Sequence, residues 1–123
     1  MSLLLDTHAL LWWLAGELDA DAVDRIADPS TFVAVSAASV WEVEIKRAIG
    51  KLEAPPGIAA QAVAEGFEAL PMTFAHAERA GTLPPHHRDP FDRMLAAQCE
   101  VEGLTLVTRD PVFGRYGTPT VRC

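Results

Sequence analysis

Leu3-Leu4-Leu5-Asp6-Thr7-His8-Ala9-Leu10-Leu11-Trp12 decides how this chain is read. Three consecutive leucines show no polar alternation, which marks a short strand buried on both faces, as in a parallel sheet. Asp6 ends the run. From Thr7 the pattern turns helical: Ala9, Leu10, Trp12, Trp13 and Leu14 are apolar, and Gly16 can close the helix. In open α/β sheets the ligand crevice lies beyond the carboxyl ends of the strands, so Asp6 stands at the edge where a site is expected.

Outward from this stretch the alternation continues. Asp19 is placed to cap a second helix, with Ala22, Val23, Ile26 and Ala27 facing inward and Pro29 beyond its end. Thr31 to Val35 reads as a strand by its β-branched and aromatic content. Ser36 can cap a helix running to about Ile49, whose apolar positions Val40, Trp41, Ile45, Ala48 and Ile49 recur at helical spacing before Gly50. Pro55-Pro56-Gly57 marks a loop, and Ile58 to Phe67 a further helix. Ala69 to Met72 is a short strand that its proline assigns to a sheet edge. Thr73 can cap a helix through Ala80, and Leu83 to Asp89 is a loop. Asp89 caps the next helix, which takes Pro90 in its first turn and carries Phe91, Met94, Leu95, Ala97 and Val101 toward Gly103. Leu104 to Thr108 is another buried strand leading to Arg109-Asp110, and Gly117 to Val121 allows one more. The expectation is a single α/β domain over residues 1–123, with a mainly parallel sheet covered on both faces.

A length of 123 residues suits one domain. Half of the residues are hydrophobic and 22% are charged, as in soluble globular proteins. No apolar run approaches the ~20 residues of a membrane span. The opening residues lack the basic region and cleavage site of a signal peptide, so the expected location is cytoplasmic, with no membrane partner. Cys99 and Cys123 fit no zinc or redox spacing. A net charge of −7 argues against a module that grips nucleic acid by charge alone. It does not argue against a nuclease whose acids are offset by bound divalent cations, nor against an acidic chain with a basic partner.

Four acids stand at matching ends of these elements. Asp6 and Asp110 follow apolar strands, Glu42 lies in the second turn after Ser36, and Asp92 lies in the first turn after Asp89. Converging carboxylates repel one another and raise each other's pKa. Magnesium and manganese relieve that repulsion and prefer oxygen ligands. Two such ions ~4 Å apart would activate a water and stabilise the leaving oxygen of a phosphodiester. Each acid also has an ordinary reading: Asp6 and Asp110 as turn residues, Glu42 as a capping-box partner of Ser39, Asp92 as a favourable charge at a helix start. It is the combination that favours a site.

Ser36-Ala37-Ala38-Ser39-Val40-Trp41-Glu42, His87-Arg88-Asp89-Pro90-Phe91-Asp92-Arg93-Met94-Leu95-Ala96-Ala97-Gln98 and Leu106-Val107-Thr108-Arg109-Asp110, together with the opening stretch, resemble the ordered motifs of PIN-domain proteins. More narrowly, they resemble the VapC toxins of bacterial toxin–antitoxin pairs. The resemblance spans nearly the whole chain. It implies a three-layer α/β/α domain around a twisted, five-stranded parallel sheet, and Mg2+- or Mn2+-dependent endoribonuclease activity leaving 5′-phosphate and 3′-hydroxyl ends. Asp6, Glu42 and Asp92 match the central metal ligands, and Asp110 a more peripheral fourth acid. Thr7 and Thr108 match small hydroxyl residues that orient carboxylates or water. Asp89 reads first as a helix cap and second as an outer group of the site. The implied partners are an RNA substrate such as tRNA, a cognate antitoxin whose peptide occupies the groove, and a second copy of the chain.

The alternative is a non-catalytic PIN-domain scaffold that binds RNA or protein; retention of all four acids argues against it. A phospho-receiver would need a late lysine, and none follows Lys51. A haloacid-dehalogenase phosphatase would need Asp-x-Asp-x-Thr where this chain has Asp6-Thr7-His8. Among the late arginines, Arg93 and Arg109 are candidates for RNA contact, with pairing to site acids as the ordinary reading. Lys46, Arg47 and Lys51 suit either a phosphate or the negative end of a helix. His86 and His87 read as a solvated loop, and Trp12, Trp13 and Trp41 as core or interface anchors.

Overall fold

The computed structural model describes all 123 residues, Met1–Cys123. Leu3, Leu4 and Leu5 have no exposed surface, and they lie in the first strand, β1 (Ser2–Leu5). Removing each leucine from water contributes ~1.5–3 kcal/mol, which makes this strand the axis of the fold. β2 (Phe32–Ser36) lies on one side of β1 and β4 (Thr105–Thr108) on the other. β3 (Glu68–Leu70) adds beyond β2 and β5 (Thr120–Arg122) beyond β4, giving the order β3-β2-β1-β4-β5 with every pair parallel.

Helices make the crossovers: α1 (Thr7–Ala15) and α2 (Ala20–Ala27), α3 (Ala37–Ala48) and α4 (Ile58–Ala64), then α5 (Phe74–Thr82) and α6 (Pro90–Glu102). The pleat sorts side chains to opposite faces. Leu3, Leu5, Val33, Val35 and Val107 pack with Ala9, Leu10, Ile26, Val43 and Ile58. Leu4, Ala34 and Leu106 pack with Leu83, Leu95, Ala96, Ala97 and Phe113. Cys99 is buried in this second core, where burial pushes its thiol up to about 12 and leaves it an unreactive packing group.

The expected α/β architecture with a five-stranded sheet is present, and the sheet is wholly parallel. Several local expectations are corrected. α4 ends at Ala64, and Gly66, at φ +83°, turns the chain so that Phe67 enters the core instead of extending the helix. α5 runs through Gly81 to Thr82. Its start is fixed by Thr73 and by His76, a fully buried side chain whose Nδ1 accepts the Thr73 N–H at 3.1 Å. A 3-10 helix over Pro111–Tyr116 follows Asp110 where no element was expected, and it delivers Phe113 to the second core. The inner face of α3 is not the apolar one: Trp41, Ile45 and Ile49 are 54%, 37% and 60% exposed, while Ala38, Ser39, Glu42 and Val43 are buried. Val101 likewise lies on the outside of α6, which buries Leu95 through Cys99.

Candidate active site

The chain runs from β1 to β3 on one side of the sheet, then returns to the other side for β4 and β5. β1 and β4 therefore flank the point where strand order reverses, the place where parallel sheets open a crevice. Asp6 leaves β1 there, and its N–H still bonds to the Val107 carbonyl of β4 at 3.1 Å. Thr108 and Asp110 leave β4 beside it.

Asp6 caps α1: its Oδ1 accepts the Ala9 N–H at 2.7 Å. Its Oδ2 accepts the Thr108 hydroxyl at 2.6 Å. Burial raises the Asp6 carboxyl above its ordinary value, more than the bonds from Thr108 and Ala9 lower it. Thr7, in the first turn of α1, donates to Glu42 Oε1 at 2.6 Å and lies 3.1 Å from the Ser39 hydroxyl. Glu42 Oε2 accepts the Lys46 ammonium at 2.5 Å, one turn along α3. That bond is the main reason the Lys46 pKa is raised. The hydroxyls of Thr7 and Thr108 thus bond to the carboxylates of Glu42 and Asp6.

Asp89 caps α6 by accepting the Phe91 N–H at 2.8 Å. Asp92 follows in the first turn. Burial raises Asp92 to about 7, and the nearby Asp89, Glu42 and Asp110 charges add to the effect while His87 opposes it. Asp110 caps the 3-10 helix through Val112 N–H, 2.9 Å from Oδ1. Its Oδ2 lies 2.9 Å from His87 Nε2. Burial pushes Asp110 up, but the bonds from His87 and Val112 outweigh it and hold the carboxyl below its ordinary value.

Asp6, Glu42, Asp89, Asp92 and Asp110 line one cleft of about 180 Å³, together with Thr7, His8, Lys46 and Phe113. The four acids singled out from the sequence are brought together, and Asp89 joins them. The tightest grouping of ligand atoms is His87, Asp92 and Asp110, all within 4.8 Å of one another. Asp110 thus has a carboxylate oxygen within 4.8 Å of one of Asp92.

The sequence profile of the PIN domain matches residues 3–119. The chain belongs to the PIN-domain family. Comparison with curated proteins gave no match. Solved structures share the fold at low identity. VapBC2 from Rickettsia felis, bound to a DNA fragment from their promoter, aligns over 100% of this chain and 99% of that one, with TM-score 0.75 and 16% identity. DNA-bound VapBC from Salmonella typhimurium gives 0.72 and 21%, covering 99% and 98%. VapBC-5 from Mycobacterium tuberculosis, a member of the VapBC family of toxin–antitoxin systems, gives 0.62 and 20%, covering 99% and 98%. These likenesses are likenesses of fold, and they extend over the whole PIN domain.

Within this PIN domain the donor set suits a divalent cation. It is built of carboxylate oxygens, two of them on carboxyls driven upward by burial, which is the charge imbalance a hard cation relieves. The basic candidates for RNA contact have partners within the chain. The Arg93 guanidinium reaches four backbone carbonyls, those of Ala80, Leu83, Pro84 and His87, at 2.7–3.4 Å. Arg109 lies over the Trp12 ring, 3.8 Å from its centroid, and donates to the Cys123 carbonyl. His87 is a correction: it is 8% exposed, not a solvated loop residue, while His86 stays exposed. Its partners Asp110, Phe113 and Tyr116 lie more than 20 residues away in the chain, so no local pattern announced it.

Proposed function

We propose that this PIN domain is a Mg2+- or Mn2+-dependent endoribonuclease and the toxin of a toxin–antitoxin pair. The observation that carries this reading is the single cleft lined by Asp6, Glu42, Asp92 and Asp110, with Asp92 raised to about 7. Asp6, Glu42, Asp92 and Asp110 would hold the cation. When bound, it supplies an activated water and neutralises charge on the phosphodiester.

The protein's own part is to present these oxygens in fixed directions. Thr108 and the Ala9 N–H hold the two oxygens of Asp6, and Thr7 and Lys46 hold those of Glu42. A carboxylate oxygen accepts more than one partner, so these bonds orient the acids and leave acceptor capacity facing the cleft. Burial and the neighbouring acids hold the Asp92 carboxyl well above its ordinary value, and a bound cation would favour its ionised form. Lys46 is the one lysine or arginine among the residues that line the cleft, and it would offer positive charge to a phosphate there.

The proposed partners follow from the same reading: RNA as substrate, a cognate antitoxin, and a second copy of the chain, with the cytoplasm as location. The apolar groove lined by Val40, Trp41, Ala62, Val63, Phe67 and Leu70 supports the expectation of a protein partner. No helix is long and apolar enough to cross a membrane.

The test is cleavage of RNA by purified protein. Cleavage is expected with Mg2+ or Mn2+, none with EDTA, and a loss of at least about a hundredfold in Asp6→Asn and Asp92→Asn, with circular dichroism unchanged. Full cleavage by both folded variants, or cleavage that persists in EDTA, would overturn the reading.

A further inference from the structure

His87 is the one buried histidine at the cleft, and its surroundings leave it little freedom. Its ring lies 4.5 Å from that of Phe113 and 5.5 Å from that of Tyr116, nearly parallel to the latter. Its own N–H donates to the Tyr116 hydroxyl at 2.8 Å, and Arg93 holds its carbonyl at 3.4 Å. Backbone and ring are therefore fixed together. Only one ring nitrogen has a partner: Nε2 meets Asp110 Oδ2 at 2.9 Å, while Nδ1 is buried with none.

That asymmetry sets the tautomer. With the proton on Nε2, the ring donates to Asp110 and leaves a bare nitrogen acceptor among apolar groups. With the proton on Nδ1, a buried N–H would go unpaired and Nε2 would face a carboxylate oxygen lone pair to lone pair. Buried unpaired N–H groups are the rarer and costlier defect.

Asp110 needs such a donor. Its side chain is 37% exposed, and only Val112 N–H holds the other oxygen. One bond leaves a carboxylate free to turn toward water. Two bonds, one on each oxygen, fix its plane, with one of its oxygens within 4.8 Å of an Asp92 carboxylate oxygen.

We propose that His87 is a positioning residue: its Nε2–H holds Asp110 against Asp92, so that the two carboxyls form one preorganised half of the cation site. This rests on the metal-binding reading above, and extends it to a side chain that touches neither substrate nor reacting atoms. Groups that orient metal-bound carboxylates typically change affinity by 10- to 100-fold when removed.

Binding of Mn2+ to wild type, His87→Phe and His87→Gln, followed by the electron paramagnetic resonance signal of free Mn2+, tests this. Phe keeps the ring's bulk without a donor, and Gln supplies an N–H near the position of Nε2. We expect His87→Phe to weaken binding about tenfold or more and His87→Gln to recover most of the loss. A packing role would be served by Phe and not by Gln, the opposite order. In metal-free wild type, 15N shifts of labelled histidine should show His87 as the Nε2–H tautomer, a reading that needs no variant to fold. An Nδ1–H tautomer, or wild-type affinity in folded His87→Phe, would overturn this inference alone. Failure of wild type to bind Mn2+ at all would overturn the proposed function with it.

Discussion

A carboxyl that keeps its proton up to about pH 7 in the folded protein, as Asp92 does, releases it near 3.8 in the unfolded chain. Between those values the folded state binds more protons, so folding loses stability as pH rises from about 4 to about 7 and levels off above. Asp6 is shifted in the same direction, so it adds to this loss as pH rises above its unfolded value. Asp110, held low, contributes the opposite way: its stabilisation is present above the unfolded value and is lost as pH falls through the depressed one. Asp92→Asn removes the penalty. In metal-free buffer it should melt above wild type at pH 8, by ~1 kcal/mol or roughly 3–6 °C after screening in the open cleft, and the gap should close at pH 4–5. Paired melting curves at the two pH values decide it; an equal gap at both would mean that the Asp92 charge is not the cause. At this scale the sequence was informative about the acids because their ordinary roles and their proposed ones coincide. Asp6, Asp89 and Asp110 each cap a helix, and the cap places the same carboxylate at the cleft. His87 was not legible, because its role depends on partners from beyond α6.

At the scale of elements, α6 shows how a motif works twice. Asp89 and Pro90 start the helix, which sets Asp92 in its first turn. Arg93, one position on, closes the α5–α6 connection by donating to carbonyls of Ala80, Leu83, Pro84 and His87. Those carbonyls lack regular helix or strand partners, and the two terminal nitrogens of a planar guanidinium offer four N–H donors for the four carbonyls, where an ammonium offers three from a single atom. Arg93→Ala should therefore destabilise the fold by about 2–3 kcal/mol, and Arg93→Lys should recover little of it. Urea denaturation measures this; unchanged stability with weakened RNA binding would return Arg93 to the role of an RNA contact. α3 shows where pattern reading fails. Its apolar spacing pointed Trp41, Ile45 and Ile49 inward, yet the buried side carries Ser39 and Glu42. The helix starts at the carboxyl end of β2, so its inner face meets the polar cleft before it meets the core. Periodicity locates the helix, but it cannot tell that a site, and not apolar packing, lies beneath one face.

For the whole molecule, folding brings five acids into one cleft, and the fold carries that cost wherever no cation is present. A ligand that binds only the folded state stabilises it by mass action, by about 2.7 kcal/mol at a hundred times its dissociation constant. Mg2+ or Mn2+ should raise the melting temperature of wild type accordingly, Ca2+ less, and the shift should be lost in Asp6→Asn. Thermal melts across metal concentration check this, and an equal shift in Asp6→Asn would place the ion elsewhere.

The elements of this protein were determined by the sequence itself. Leucine runs make strands, capping acids start helices, and glycines and prolines end them, because these are short-range effects of burial and backbone geometry. The alternation of such elements was enough for the class of fold. Only the tertiary structure decided the order β3-β2-β1-β4-β5, which puts β1 beside β4 and brings Asp6 within reach of Thr108, 102 residues away. It alone decided that α3 buries its carboxylate and exposes its tryptophan, and that His87 holds Asp110. These outcomes depend on which surfaces meet, and on the desolvation that meeting imposes. No residue carries that information in its neighbours along the chain.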